Sequence, residues 1–458
     1  VASDDIQTDV MTDTTIVAIS TPPGRGAIGI VRLSGPQAVA IAGQMLRLRH
    51  ALASAQARLG EVIDVASKAK LDEAVVTYFA APHSYTGEDI VEIAAHGAPV
   101  VLKAIVHNAL SSGARLAGPG EFTRRAFLNG RLDLTQAEAV HDMIAAQTLH
   151  QARIAAEQLD GAVSRRIQPI KKSLVELIAA LEAGIDFAED DIDVMPADAI
   201  RERIAALHKP LTQMAESFAY GRLVRDGLTL ALCGRPNVGK SSLFNRLVQR
   251  ERAIVTDQPG TTRDLVSERI SLGGIPLELV DTAGLREAEN EAEVIGINKT
   301  REAVTAADIV LLVLDGTQQI EDEDRTLLKI VAERDGIVVV NKCDLPEEHA
   351  NDFGMVDAIR TSALTGDGMD ALRGRILARI QGGANEENGL ITNLRQQQAI
   401  TGSISALDAA TAALAVRTPH EMLLLDLYSA LRALDSLTGA TTADDVLNLI
   451  FSTFCIGK

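Results

Sequence analysis

A chain of 458 residues is too long for one core of ordinary size, so roughly two to four domains are expected. Hydrophobic residues make up 47% of it, which is ample for burial, and the formal charge of −18 argues against a surface that is basic all over, though not against a local basic patch. The three cysteines, Cys233, Cys343 and Cys455, are far apart and odd in number, which excludes a zinc spacing and a disulfide framework and fits a reducing, cytoplasmic setting.

The first 13 residues, VASDDIQTDVMTD, are acidic and polar, unlike a secretory leader. Residues 14–130 then mix short β-rich runs with turn signals. Residues 15–20 and 28–33 flank the turn-rich TPPGRG, and residues 74–79 and 90–95 read as further strands. Residues 99–110 read as a helix, making this an α+β region with its own core. From residue 131 the pattern becomes helical. The Ala-rich stretch 135–158 reads as helix, and Ile170, Leu174, Leu177, Ile178, Leu181 and Ile185 recur at spacings of three and four. From residue 393 the helical pattern resumes, with Leu424, Leu427, Leu431 and Leu434 in one stripe. Residues 228–378 between these segments alternate strands and helices. The expected layout is therefore 14–130, a first helical part 131–227, an inserted α/β domain 228–378, and a second helical part 379–458. No apolar run reaches the length of a membrane span, and residues 309–314 read as a buried strand.

The inserted segment carries the chemistry. The apolar run Leu228–Cys233 leads into Gly234-Arg235-Pro236-Asn237-Val238-Gly239-Lys240-Ser241-Ser242, a phosphate loop. Its glycines let backbone amides turn toward phosphate oxygens at a helix N-terminus. Lys240 is expected to reach the β and γ phosphates, and the Ser241 hydroxyl to ligate magnesium. Asp281-Thr282-Ala283-Gly284 follows an apolar strand at 275–280; Asp281 would hold magnesium through water and the Gly284 amide would sense the γ phosphate. Asn341-Lys342-Cys343-Asp344 follows the strand at 337–340. A carboxylate at Asp344 pairs with the N1–H and exocyclic amine of guanine, where adenine offers an acceptor at N1, so GTP is expected over ATP. A backbone amide of Ser362-Ala363-Leu364 can meet the guanine carbonyl. Thr256-Asp257-Gln258-Pro259-Gly260-Thr261-Thr262-Arg263-Asp264 occupies the first switch position, with Thr262 the expected magnesium ligand. Four motifs in register, each at a strand end, point to a Ras-like P-loop GTPase. Leu285 stands where a Ras-type enzyme has its water-orienting glutamine, so catalysis must recruit a polar group elsewhere. The acidic stretch 287–293 reads equally as that source or as a solvated helix face.

TPPGRGAIGIVRLSG, SYTGEDIVEIAAHG, PGEFTRRAFLNGRLDL and the terminal FCIGK, together with GRPNVGKSS, TDQPGTTRD and DTAGLRE, give the chain a close resemblance to the MnmE (TrmE) family of tRNA-modification GTPases, from about residue 14 to the end. The resemblance implies an N-terminal folate-binding and dimerisation domain, a discontinuous helical domain and the inserted G domain. It implies a homodimer that works with a MnmG-type flavoprotein, which supplies FAD, to install an aminomethyl or carboxymethylaminomethyl group at carbon 5 of the wobble uridine of certain tRNAs. A tetrahydrofolate derivative, in its 5-formyl or methylene form, donates the one-carbon unit, and GTP hydrolysis to GDP drives a conformational cycle. It further implies a potassium site at Asn237, Thr256, Gln258 and Thr261, a water-orienting Glu293, and a folate site at Arg32, Glu92, Arg131 and Lys458. Family members have lysine at position 131, and arginine keeps the charge while changing the geometry. Cys455 in FCIGK is open to two readings, nucleophile or buried thiol docking the tail. For tRNA, the basic pairs Arg124-Arg125, Arg165-Arg166 and Lys171-Lys172 are candidate phosphate contacts, although such pairs usually lie on solvated helix faces. With no tryptophan and 3% aromatics, a stacking platform is poorly supported. The competing reading is a ribosome-assembly or signalling switch GTPase, which would leave the N-terminal blocks and the FCIGK tail without a role.

Overall fold

The computed structural model describes residues 14–186, 195–250, 266–281, 305–334, 336–346, 357–381, 390–416, 418–439 and 457. The chain forms two compact units, Val1–His141 with Asp435–Lys458, and Asp142–Leu434.

The first unit is built on a sheet of strands β1 (Ile16–Ile19), β2 (Ile28–Ser34), β3 (Leu46–Leu48), β4 (Gln56–Ile63), β5 (Lys70–Phe79), β6 (Ile90–His96) and β7 (Arg115–Leu116), in spatial order β3-β4-β5-β6-β2-β1-β7. Neighbours are antiparallel except for β1 and β7, which run parallel. Alternation along β1 separates two apolar layers, because successive side chains leave opposite faces of a strand. Val17 joins Val31, Leu33, Ile93 and the helices α1 (Ala38–Met45) and α2 (Pro99–Ser111), which contribute Ile41, Met45 and Ile105. Ile16 and Ala18 face the other way, onto Ala117 and onto Phe122 of α3 (Glu121–Leu128). The register Ala18↔Arg32↔Glu92 sets Arg32 and Glu92 side by side on adjacent strands in the Ala18 row, on the Phe122 side.

Between Leu134 and Leu159 the chain forms two helices, α4 (Leu134–Ala145) and α5 (Leu149–Leu159), where the composition reads as one. Thr148 ends the run. Its backbone is extended, and its side chain accepts from Gln151 N–H while the Gln151 side chain returns to the Thr148 amide, a capping box that starts a new helix. The helices α6 (Ala162–Asp186), α7 (Ala197–Glu216), α8 (Phe218–Asp226), α12 (Leu394–Ala415) and α13 (His420–Thr438) complete the helical part, α9 to α11 belonging to the inserted segment. The stripe Ile170, Leu174, Leu177, Ile178 and Leu181 is buried, as are Leu424, Leu427 and Leu434; Leu431 is partly exposed, and the side chain of Ile185 lies outside the described residues.

The inserted segment is a doubly covered sheet of β8 (Leu228–Cys233), β9 (Val266–Leu272), β10 (Ile275–Asp281), β11 (Ile309–Asp315), β12 (Ile337–Asn341) and β13 (Ala358–Arg360), ordered β13-β12-β11-β8-β10-β9. All neighbours are parallel except the β9–β10 hairpin. Leu230, Leu232, Leu311 and Val313 point to α9 (Lys240–Arg250) and α11 (Met369–Gln381), while Ala231, Cys233, Val310, Leu312 and Leu314 point to α10 (Asp322–Glu333). Helices on both faces explain why β11 is apolar without alternation. The strand order reverses at β8, so the crevice beyond the C-terminal ends of β8, β10 and β11 is the expected ligand position in this class of sheet.

Candidate functional site

The phosphate loop leaves the end of β8 and enters α9 at Lys240. Gly234 has φ +145, and a Cβ there would lie 2.3 Å from the Val313 carbonyl oxygen, so the loop can pass the sheet only with glycine at this point. Asn237, at φ +64, is exposed at the crest in a left-handed conformation that asparagine tolerates. Lys240 is buried, and its ammonium donates to the carbonyl oxygens of Gly234 and Arg235 at 2.9 and 2.8 Å. Arg235 leads away from the loop, pairing with Glu321 and Asp324 at the start of α10. The Ser241 hydroxyl donates to Asp281 Oδ2 at 2.8 Å, which brings the two magnesium-ligand candidates together from different elements. No group of three His, Cys, Asp or Glu suited to a metal occurs among the described residues. A hydroxyl and one carboxylate nonetheless fit magnesium, which keeps several waters and takes its remaining ligands from substrate phosphates. Beneath the loop, burial pushes the Cys233 thiol up to about 12 despite the nearby Lys240, leaving it a neutral packing group.

The guanine motifs converge on Asn341. Its Nδ2 donates to the Val238 carbonyl of the phosphate loop at 3.0 Å, and its Oδ1 accepts from the Ala363 amide at 3.0 Å. One buried side chain thus joins three sequence-distant segments. The Ser362 amide donates to the Asp367 carbonyl, so a guanine carbonyl would share the Ala363 amide or take that of Leu364, an exposed residue. Asp344 is exposed, and Ser242 is exposed on the first turn of α9. Lys342 has φ +67 and pairs with Asp315 at 2.7 Å. Asp315, not anticipated from the sequence, is fully buried. Burial works against its charge, but Lys342 and the hydroxyl and amide of Thr317 outweigh it and hold the carboxyl below its ordinary value. The signal available was a lone aspartate ending an all-apolar strand.

The opposite end of the sheet carries a different cavity, of about 400 Å³, lined by Arg222, Arg225, Arg269, Asp226, Glu278 and Asp308 among others. Its guanidiniums already face carboxylates, Arg225 with Asp142 at 2.9 Å and Arg269 with Glu278 at 3.7 Å, so it does not compete with the phosphate loop as an anion site.

In the first unit, Arg32 pairs with Glu92, Nε to Oε1 at 2.8 Å, and its guanidinium lies 5.6 Å from the ring centroids of both Tyr85 and Phe122. Those two rings flank the guanidinium within cation–π range; neither was singled out from the sequence. The Tyr85 hydroxyl shares a hydrogen bond with Thr123, and burial, partly offset by Thr123 and Arg32, pushes its ionisation upward. Arg131 donates from Nε to the Ser84 carbonyl at 3.1 Å. At the end of β1, Ser20 donates to the carbonyl of Gly457 at 3.0 Å. A Cβ on Gly457 would lie 2.4 Å from the Ile19 carbonyl oxygen, so the tail fits there only as glycine. Gly457 is therefore held one to two residues along β1 from the Ala18–Arg32–Glu92 row. A carboxylate beside a fixed guanidinium fits a pterin, whose amino-pyrimidine edge pairs with a carboxylate.

The basic pair Arg124-Arg125 is not the solvated pair expected. Arg125 is 1% exposed and bonds to Glu88, Glu121 and the Thr14 carbonyl, so it cannot reach a phosphate. Thr256, Asp257, Gln258, Pro259, Gly260, Thr261, Thr262, Thr282, Ala283, Gly284, Leu285, Glu293, Cys455 and Lys458 lie outside the described residues. Among the described residues no helix is long and apolar enough to cross a membrane.

Residues 134–455 match the family model of the MnmE helical domain, and residues 15–131 match that of the GTP-binding protein TrmE N-terminus. The chain belongs to the MnmE family of tRNA modification GTPases. The tRNA modification GTPase MnmE of Koribacter versatilis is 59% identical over 451 residues, covering 97% of this chain and 99% of its own. That of Aquifex aeolicus is 41% identical over 445 residues, with the same coverage. Among solved structures, Aquifex aeolicus Era bound to GDP and aluminium fluoride is 26% identical, with a TM-score of 0.27, over 39% of this chain and 66% of its own. The architecture is multidomain: an α+β N-terminal region, a helical domain and a P-loop G domain. The chain is a GTP hydrolase of tRNA modification.

Proposed function

We propose that this chain is a potassium-activated GTPase that, with a MnmG-type flavoprotein carrying FAD, installs an aminomethyl or carboxymethylaminomethyl group at carbon 5 of the wobble uridine of certain tRNAs, using a tetrahydrofolate one-carbon unit. In this reading residues 14–130 bind folate and pair two copies of the chain in the cytoplasm, residues 131–227 and 379–458 form the helical domain, and residues 228–378 form the G domain. The supporting observation is the docking of Gly457 at the end of β1 beside the Arg32–Glu92 row. A GTPase acting only as a switch would leave both the Arg32–Glu92 pair and the docking of Gly457 without a role.

Lys240, Ser241 and Asp281 would serve the phosphates and magnesium, with Thr262 joining when GTP is bound. Asp344 would read guanine. Asn237, Thr256, Gln258 and Thr261 would hold potassium, placing positive charge where other GTPases use an arginine. Glu293 would orient the water that Leu285 cannot. Tetrahydrofolate, when bound, supplies the carbon. Glu92 and Arg32 would hold the pterin end, and Arg131 and Lys458 suit the glutamate tail. A GTP-driven change would pass to the helical part through a contact within the second unit. Thr148 Oγ1 donates to the Gly274 carbonyl at 2.6 Å, tying the turn of the β9–β10 hairpin to the start of α5. That hairpin begins just after the first switch motif and ends at Asp281.

Arg32→Ala is expected to weaken binding of 5-formyltetrahydrofolate by roughly 10- to 100-fold, the worth of a hydrogen bond to a charged group. GTP hydrolysis should be retained. Calorimetric titration checks it, and unchanged folate affinity would remove Arg32 from the site. Hydrolysis is also expected to be at least about tenfold faster in potassium than in sodium chloride of matched strength, since the smaller sodium ion fits the oxygen cage less well and leaves developing charge less compensated. Equal rates would take potassium out of the mechanism.

A further inference from the structure

Asp315 closes β11 with no exposed side-chain surface. Burying a carboxylate is unfavourable unless it is paired and hydrogen-bonded. Here Oδ1 accepts from the amide and hydroxyl of Thr317 at 3.0 and 2.7 Å, and Oδ2 accepts from Lys342 at 2.7 Å. Asp315 stands opposite Asn341 in the β11–β12 register, so its cation partner is the residue that follows Asn341 in the guanine motif. Lys342 itself has φ +67, a left-handed backbone that a residue other than glycine adopts only when its surroundings enforce it. Next to it the Gly316 amide donates to the Asn341 carbonyl at 2.9 Å, which locks the turn after β11 onto the end of β12.

We infer that Asp315 is a positioning residue for guanine. By anchoring the Lys342 ammonium below the surface, it lays the four-carbon stem of that lysine down as one wall of the purine site. The inference rests on the GTP-site reading above and adds to it a residue in none of the four nucleotide motifs. A free Lys342 would sample many rotamers and present its stem to the base only part of the time, at an entropic cost on binding. The Asp315 carboxylate removes that freedom before the nucleotide arrives. The contact concerns the base and leaves the phosphates to the loop and Lys240.

The test compares two ligands of the wild type and of Asp315→Asn, GDP and inorganic tripolyphosphate, by calorimetric titration in magnesium and potassium. The expected result is a loss of roughly tenfold or more in GDP affinity, with tripolyphosphate affinity unchanged. Asp315→Asn with Lys342→Met, which removes both charges together, carries the same test if the single variant does not fold, and the same split is expected. Parallel loss of both ligands would assign Asp315 a structural role and overturn the inference, as would unchanged GDP affinity. Failure of the wild type to bind GDP at all would instead overturn the GTP-site reading.

Discussion

Replacing Lys240 with alanine is expected to slow GTP hydrolysis by roughly 10²- to 10³-fold, the cost of deleting one preorganised donor from a charge-stabilising site. The geometry explains why one side chain matters so much. Lys240 stands on the first turn of α9 and is buried, with its ammonium held by two loop carbonyls. These are neutral acceptors, and exchanging them for phosphate oxygens gains charge–charge attraction in a poorly hydrated setting without moving the backbone. The helix N-terminus and loop amides remain in the variant, so residual binding of GDP is expected while turnover falls. Steady-state phosphate release, with a melting curve to establish that the variant is folded, is the check. A rate within tenfold of the wild type would mean that the loop does not act on the γ phosphate.

The second large effect is on stability. Arg125→Met leaves Glu88 and Glu121 without the buried guanidinium that both contact, at about 3.1 and 3.0 Å, and should destabilise the first compact unit by about 3–5 kcal/mol. For a unit of this size that corresponds to a fall in melting temperature on the order of 10 °C. GTP hydrolysis should survive, because Arg125 belongs to the unit that lacks the phosphate loop. The network also sets an acid limit. Burial raises the Glu121 carboxyl, but Arg115, the Gly118 amide and Arg125 outweigh it and hold it below its ordinary value. A depressed carboxyl stabilises the fold fully above the unfolded value and loses that contribution as the pH falls through the folded one. Acid below about pH 4.5 should therefore weaken the wild type more than Arg125→Met. A melting shift under about 2 °C at neutral pH would show that the network carries little stability.

How far the sequence anticipated these sites depends on how local they are. The phosphate loop is read easily because a strand, a turn and a helix N-terminus follow one another within 23 residues, from Leu228 to Arg250, and the ligand meets backbone groups of that one segment. Asn341 shows the next level. The motif names the residue, but its part in joining Val238 to Ala363 depends on strand order, which appears only in the fold. The Arg32–Glu92 pair is a register property of β2 and β6, 60 residues apart, and by itself each residue reads as a surface strand position. Only the family resemblance singled them out. Arg125 misleads for the converse reason. Beside Arg124 it reads as part of a basic patch, yet Glu121 one helical turn before it and Glu88 from a distant segment draw it inward. The break at Thr148 was hidden by helix-favouring alanines on both sides, although Thr148 and Gln151 already spelled a capping box. Asp315 gave only a carboxylate at a strand end, and its partner lies 27 residues away.

On the proposed reading, turnover at the phosphate loop drives a modification carried out around Arg32 and Glu92. The most direct measurement is the mass of the wobble nucleoside in tRNA incubated with the chain, the MnmG-type flavoprotein, a tetrahydrofolate donor and GTP. The account predicts modified uridine with the wild type, and little or none with Lys240→Ala or when a non-hydrolysable GTP analogue replaces GTP. Full modification by Lys240→Ala, or with the analogue, would contradict it.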